Sequence, residues 1–410
     1  MVAPERRTRV DVLVACAIAV SLLVAAGVVW LRSDARGTVS VTAQHPASPA
    51  ESALSVPATL SEAWRASSRE TAVPLVAGGA AVTADDGTVL GRDPATGTEL
   101  WRYQRDMPLC GAIGAWHTVV AVYRDRLGCG QVTQLDGSSG ARQAQRNSDA
   151  DDSVTLSEDG TYLTSRGSTR LEVWRSDLVR TLEFGRVDAP VNPGAQPRSG
   201  CTLLSSASSS SRLAVLERCP GESADRISIL NPSPKDNSKP EEYGSTLLDD
   251  AGQDVTGAAV LAVSGDRTAV YVPAGVGGST RIAVYDGSGS LVTQFPVDGD
   301  VSPTARVVRS GSIFAWWTGS RVISLRATDF TPGWTVEGAL GPGTTMAGQF
   351  LVPVDGAVAV VDPTTGAQTG RIPVDRPGPA PAALGGRPIT SAALGSILLE
   401  QRGDELVALH

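Results

Sequence analysis

Two short stretches decide the fold: "LSEAWRAS" at 60–67 and "DELVALH" at 404–410. Each is a fragment of a unit that occurs whole at 73–103, "VPLVAGG", "AAVTADD", "GTVLGRD", "PATG", "TELWRY". That unit has four short apolar runs split by Gly, Asp and Pro, which is the pattern of a four-stranded antiparallel meander. Its third run ends at Asp93. The same point recurs at Asp136, Arg175, Asn231, Asp286, Arg326, Asp362 and His410. An Asp or Asn there caps the turn through its side chain, and a following Gly supplies the positive φ. A large ring marks the fourth run: Trp101 and Trp334 lie eight residues after their reference positions, Phe184 and Phe295 nine. Such rings are expected to pack between neighbouring sheets. "DELVALH" is then a third strand without its fourth, and "LSEAWRAS" a fourth strand, carrying Trp64, without its first three. Paired edge to edge they complete one sheet and close a ring, so that no sheet edge there stays open. The expected fold is therefore all-β, an eight-bladed propeller over 60–410, or seven-bladed if the copy ending at Asn231 is irregular.

Composition agrees. The 410 residues include 44 Gly and 26 Pro but only 5% aromatics, which favours short strands and turns over long helices. A net charge of −8 gives no reason to expect a nucleic-acid partner.

The N-terminus is organised differently. Residues 1–11 are short and basic and read as a cytoplasmic tail, with Arg6, Arg7 and Arg9 on the inner side. Residues 12–31, "VLVACAIAVSLLVAAGVVWL", carry no charge and would span about 30 Å of hydrocarbon as a helix. The run is longer than the apolar region of a cleaved signal peptide, and no small-x-small site follows it. A single-pass plasma-membrane anchor with the C-terminal part outside is expected. Residues 32–59 are small, polar and proline-containing, and read as a flexible linker.

The units "GRDPATGTELW" (91–101), "QLDGSSGARQ" (134–143) and "VVDPTTGAQTG" (360–370) resemble the PQQ-like (quinoprotein or BamB-type) β-propeller repeat. The resemblance covers about 60–410. It implies a propeller, and a superfamily that holds both quinone-dependent dehydrogenases and non-catalytic envelope assembly factors. An anchor followed by one such propeller is similar to actinobacterial envelope proteins, and the arginine-rich, lysine-poor composition fits that source.

Four cysteines lie beyond the anchor. Cys110 and Cys129 are 19 apart, Cys201 and Cys219 are 18 apart, at matching points of two repeats. Adjacent antiparallel strands would bring the ends of such segments together, so the expected pairs are Cys110–Cys129 and Cys201–Cys219, with four buried thiols as the alternative. Disulfides require an oxidising compartment, in keeping with an external propeller. No CxxC or nearby His suggests a metal.

Catalytic patterns are scarce. The three histidines are His45, His117 and His410, and there is no G-x-S-x-G, HExxH or Walker A sequence. "DADDS" (149–153) has calcium-like oxygens but reads as a solvated turn, and "SSASSSS" (205–211) as a polar loop. The adjacent cysteines of quinone dehydrogenases are lacking, so neither cofactor nor metal nor catalytic residue is expected. The expected function is a non-catalytic protein-interaction scaffold in the cell envelope, in cell-wall assembly or division, with envelope or membrane proteins as partners. The alternative is a binder of a small molecule or glycan in the channel; a quinoprotein-type oxidoreductase ranks below both. Long loops at 185–201 and 231–256 are the candidate contact surface, with Asp236, Lys239, Glu241, Glu242 and Tyr243 as candidate contact residues.

Overall fold

A computed structural model describes residues 8–248, 256–275, 278–377 and 386–410. Among these, the strands beyond the N-terminal helix form eight antiparallel sheets, the blades of one propeller. Blades 1 to 7 span 75–105, 109–147, 155–185, 202–247, 259–296, 306–337 and 344–373, and blade 8 spans 390–409. The copy ending at Asn231 is a complete blade, so the count is eight.

Blade 8 takes its fourth strand from the other end of the domain. Glu62–Ser67 pairs antiparallel with Glu405–Leu409, with Trp64 opposite Ala408 and Ser67 opposite Glu405. Reciprocal backbone bonds between Ser61 and His410, at 3.0 and 2.9 Å, extend the ladder. The inner strand of blade 8, Thr390–Leu394, adjoins that of blade 1, Leu75–Ala77, and the ring is closed. In all eight blades the outer strand carries one register shift near its start. The closing strand has it too, between Glu62 and Trp64, and so is a true member of the set. Such bulges sharpen the twist of an exposed edge and discourage pairing with another chain.

There is no single core. Eight apolar clusters are found, one at each blade junction. Trp101, Phe184 and Trp316 are fully buried in three of them. The fourth-strand tryptophans join blades by one rule. Nε1 of Trp64, Trp101 and Trp334 donates to the carbonyl of Pro94, Gly137 and Pro363, at 2.8 to 2.9 Å. Each acceptor lies one residue beyond Asp93, Asp136 or Asp362 in the next blade. The ring lies on the turn glycine: a Cβ added to Gly97 would sit 2.7 Å from Trp64. Asp136 and Asp362 hold their turns by accepting two backbone N–H bonds each. Where tryptophan is missing, other donors reach the equivalent carbonyl: Gln134 Nε2 to Ser176 at 3.1 Å, and Thr181 Oγ1 to Pro232 at 2.7 Å.

The linker expectation needs correction. Thr38–Val41 adds a fifth strand to blade 1, pairing antiparallel with Arg102–Arg105. The N–H groups of Ala43 and Ala47 then donate to Ser139 and Ser138 of the blade 2 turn. Ser48 presses on Gly79 so closely that a Cβ there would lie 2.0 Å from the Ser48 carbonyl oxygen. Ala53 and Val56 pack on the cluster between blades 7 and 8. The composition is that of a tether, but backbone pairing asks little of side chains, and the segment crosses one face of the ring as a strap. The residues between the N-terminal helix and this strand are five.

Arg9–Arg32 is one helix, long and apolar enough to cross a membrane and with no residue buried against the propeller. Thr8 and Asp11 form a capping box at its start. Arg6 and Arg7 lie outside the described residues.

Candidate functional site

The disulfides are Cys110–Cys129 and Cys201–Cys219, with Cα separations of 6.0 and 4.2 Å. The first joins the strands Leu109–Ala115 and Gly128–Asp136 of blade 2, and the second joins the residues flanking Thr202–Ser208 and Leu213–Arg218 of blade 4. Glu217 lies beside the second, with a carboxylate oxygen within 4.8 Å of both sulfurs. Those sulfurs are bonded to each other, and one Glu217 oxygen accepts from Ser228 Oγ and Arg198 Nε at 2.6 and 3.1 Å. Burial pushes the Glu217 carboxyl up, against these partners.

The two long loops meet at the outer rim of blades 3 and 4. Residues 186–201 fold back along the outer strand of blade 3, Arg180–Gly185, and reach the blade 4 loop between Leu230 and Glu242. Asn192 Nδ2 donates to Ser238 Oγ at 2.7 Å, and Gln196 Nε2 to the carbonyls of Glu183 and Ser238, both at 3.2 Å. The Glu183 N–H donates to the Asn237 carbonyl at 2.9 Å. The loops thus occupy the outward hydrogen-bonding groups of an edge strand.

The five candidate residues do not form one patch. Asp236, Lys239 and Glu241 line an open cleft of about 700 Å³ with Lys235, Asn237 and Pro240. Asp236 accepts from Ser238 Oγ and N–H at 2.7 and 3.0 Å, which holds its carboxyl below the usual range. Glu241 is held down likewise by Asn231 Nδ2 and the Lys235 N–H. Glu242 faces elsewhere: it pairs with Arg198 Nη2 at 3.0 Å and, through that guanidinium, with buried Glu217. Tyr243 is the bulged residue of the outer strand. It stays 43% exposed while the Arg212 guanidinium sits 3.8 Å from its ring centroid. Gly244, next in line, leaves room for the blade 5 turn, because a Cβ there would lie 1.7 Å from the Ser288 oxygen. Arg198, Asn192, Ser238 and Arg212 were not marked by the sequence, since their partners lie in other strands or loops. Asp249 and Asp250 lie outside the described residues.

Two further expectations change. Of the acids of 149–153 only Asp152 stays exposed: Asp151 accepts from the N–H groups of Thr169 and Arg170 at 2.7 and 3.0 Å, and Asp149 pairs with Arg186 at 3.0 Å. Residues 205–208 belong to the inner strand Thr202–Ser208 of blade 4, not to a loop. His117 is a corner of the two-residue turn Trp116–His117, both at positive φ (52° and 62°).

No protein-family model and no curated protein matches the sequence. Among solved structures the chain is similar to BamB from Moraxella catarrhalis, with a TM-score of 0.51 at 12% identity over 86% of this chain and 100% of that chain. It is similar to the computationally designed Ika8 protein, with a TM-score of 0.52 at 13% identity over 89% of this chain and 99% of that one. Dihydro-heme d1 dehydrogenase NirN in complex with DHE aligns with a TM-score of 0.49 at 14% identity, over 92% and 75% of the respective chains. At these identities the likeness is one of fold: an eight-bladed β-propeller that shares its architecture with BamB.

Proposed function

We propose that the chain is a single-pass plasma-membrane protein and that its propeller is a non-catalytic scaffold for envelope or membrane proteins, in work such as cell-wall assembly or division. The N-terminal tail 1–11 is cytoplasmic and the ring 60–410 is outside. Two disulfides support the oxidising side. The apolar helix and the basic residues before it support the orientation.

The observation that carries the scaffold reading is the Tyr243–Arg212 pair. A half-exposed tyrosine stacked under arginine is pre-ordered, and these two residue types dominate the energetic centres of protein interfaces. Tyr243 lies in the outer strand of blade 4, two residues beyond Glu241 of the Lys235–Glu241 cleft. The ring beneath is rigid, so a partner meets a fixed surface at little ordering cost.

In-cell crosslinking tests this. The wild-type chain is expected to give a discrete crosslinked species that Tyr243→Ala or Lys239→Glu depletes while both disulfides still form. Undiminished crosslinking in both variants would count against this surface. Removing 233–244 outright is a poorer test, because it would uncover the edge of blade 3 through Asn237 and Ser238.

A further inference from the structure

A second cavity, of about 390 Å³, lies between the outer strands of blades 1 and 2, next to the strap. None of its ten lining residues is acidic, although the chain as a whole is acidic. Three are arginines, Arg105, Arg142 and Arg146, and Gln145, Asn147 and Thr38 are among the rest. The Arg142 side chain is exposed and has no ion pair or hydrogen bond among the described residues. Arg146 is mostly buried. Its guanidinium turns away from the cavity to blade 3, where it donates to Glu172 and to the Leu178 carbonyl, both at 2.9 Å, with the Trp174 ring 5.0 Å away, so Arg146 borders the cavity without lending it its charge. An exposed guanidinium among amides, in a cavity without a carboxylate, favours an anionic ligand. A planar donor fork with amides around it suits the oxygens of phosphate.

Position narrows the source. Thr38 lines the cavity and starts the strand five residues beyond the helix end at Arg32. Four of those residues form a 3-10 turn, Asp34–Gly37, which at about 2 Å per residue spans only about 8 Å. Trp30, in the last turn of the helix, has the Arg36 guanidinium 5.1 Å from its ring. Tryptophan at a helix end marks the membrane–water interface. The cavity therefore lies at headgroup depth, provided that the helix is a membrane anchor, the reading on which this inference rests.

We propose that the cavity between blades 1 and 2 binds the headgroup phosphate of an anionic glycerophospholipid in the leaflet where the helix emerges. Arg142 would hold the phosphate oxygens, with Gln145 and Asn147 as neutral donors. Bound lipid would fix the tilt of the propeller on the membrane as well as its distance.

The test uses the full chain in nanodiscs of phosphatidylcholine alone, or of phosphatidylcholine and phosphatidylglycerol in equal parts. Hydrogen exchange is read in Thr38–Val41 and Arg142–Asn147. Phosphatidylglycerol is expected to slow it about tenfold, the worth of one charge-assisted contact. Arg142→Glu and, separately, Gln145→Ala should remove the slowing while leaving the melting temperature unchanged. Equal exchange in both discs, or slowing that survives both variants, overturns the proposal. Full slowing by inorganic phosphate in phosphatidylcholine discs also overturns it, in favour of a free anion. Co-elution of the chain with the discs reports the anchor separately: failure to incorporate overturns anchor and lipid site together, whereas incorporation with equal exchange overturns the lipid site alone.

Discussion

The indole Nε1 of Trp64 donates to the carbonyl of Pro94, 2.8 Å away. Trp64 belongs to the strand that completes blade 8, and Pro94 to the turn of blade 1. One residue therefore seals a sheet and docks that sheet on its neighbour.

Trp64→Ala should cost about 3 kcal/mol, from the lost ring contact and hydrogen bond together. Trp64→Phe keeps the ring on Gly97 and should cost about 1 kcal/mol. Urea denaturation measures both. A Trp64→Ala variant as stable as the wild type would mean that the closing strand is not needed to hold the ring.

The disulfides close loops of 19 and 18 residues. Replacing either pair by serine should cost about 2–4 kcal/mol on the loop-entropy estimate. The chain has five cysteines, and Cys16 is the free one. Alkylation of the denatured, unreduced chain should modify one thiol; modification of five would refute both pairings.

Acid should loosen the blade turns. Backbone N–H groups of Thr365 and Thr364 hold the Asp362 carboxyl below its ordinary value, and Ser288, with the Ser290 N–H, does the same for Asp286. A carboxyl depressed in the folded state stabilises the fold above its unfolded pKa of about 3.9, and that contribution is lost as pH falls through the folded value. The Asp286→Asn, Asp362→Asn double variant keeps the capping oxygens but not their titration. Its melting temperature should drop less than that of the wild type between neutral pH and about pH 2.5. An identical drop would remove these turns from the acid response.

The strap predicts a particular protease pattern. Leu54 is fully exposed, whereas Thr38–Val41 is paired in a sheet. Elastase should cut first near Leu54, and the fragment ending there should stay with the propeller on gel filtration under native conditions. Rapid cutting throughout 38–48 would restore the picture of a free tether.

The ring was legible in the sequence because its marks are local. An Asp at the end of a third strand, a glycine four residues on and a tryptophan beyond it all sit within one repeat, and together they build a junction. The pairing of 62–67 with 405–409 followed from two incomplete units, and the disulfides from matched positions in two blades. What escaped was contact that owes nothing to periodicity. Thr38–Val41 binds through its backbone, so its small polar neighbours gave no sign. Thr181 and Gln134 stand in for tryptophan with short polar groups that look like surface residues. Ser205–Ser208 resembled a loop because an inner strand borders the channel and tolerates hydroxyls. Glu242 and Tyr243 are adjacent in sequence but serve different neighbours, since a bulge separates them.

Closure through distant segments also has a consequence in time. Ser61 and His410 are 349 residues apart. At roughly 5–20 residues per second of synthesis, Glu62–Ser67 must wait about 20–70 s for its partner. Through that interval blades can form in order, but the first junction has only half its clasp. Whatever guards the nascent chain has one early strand, with Trp64 in it, to keep from sticking elsewhere.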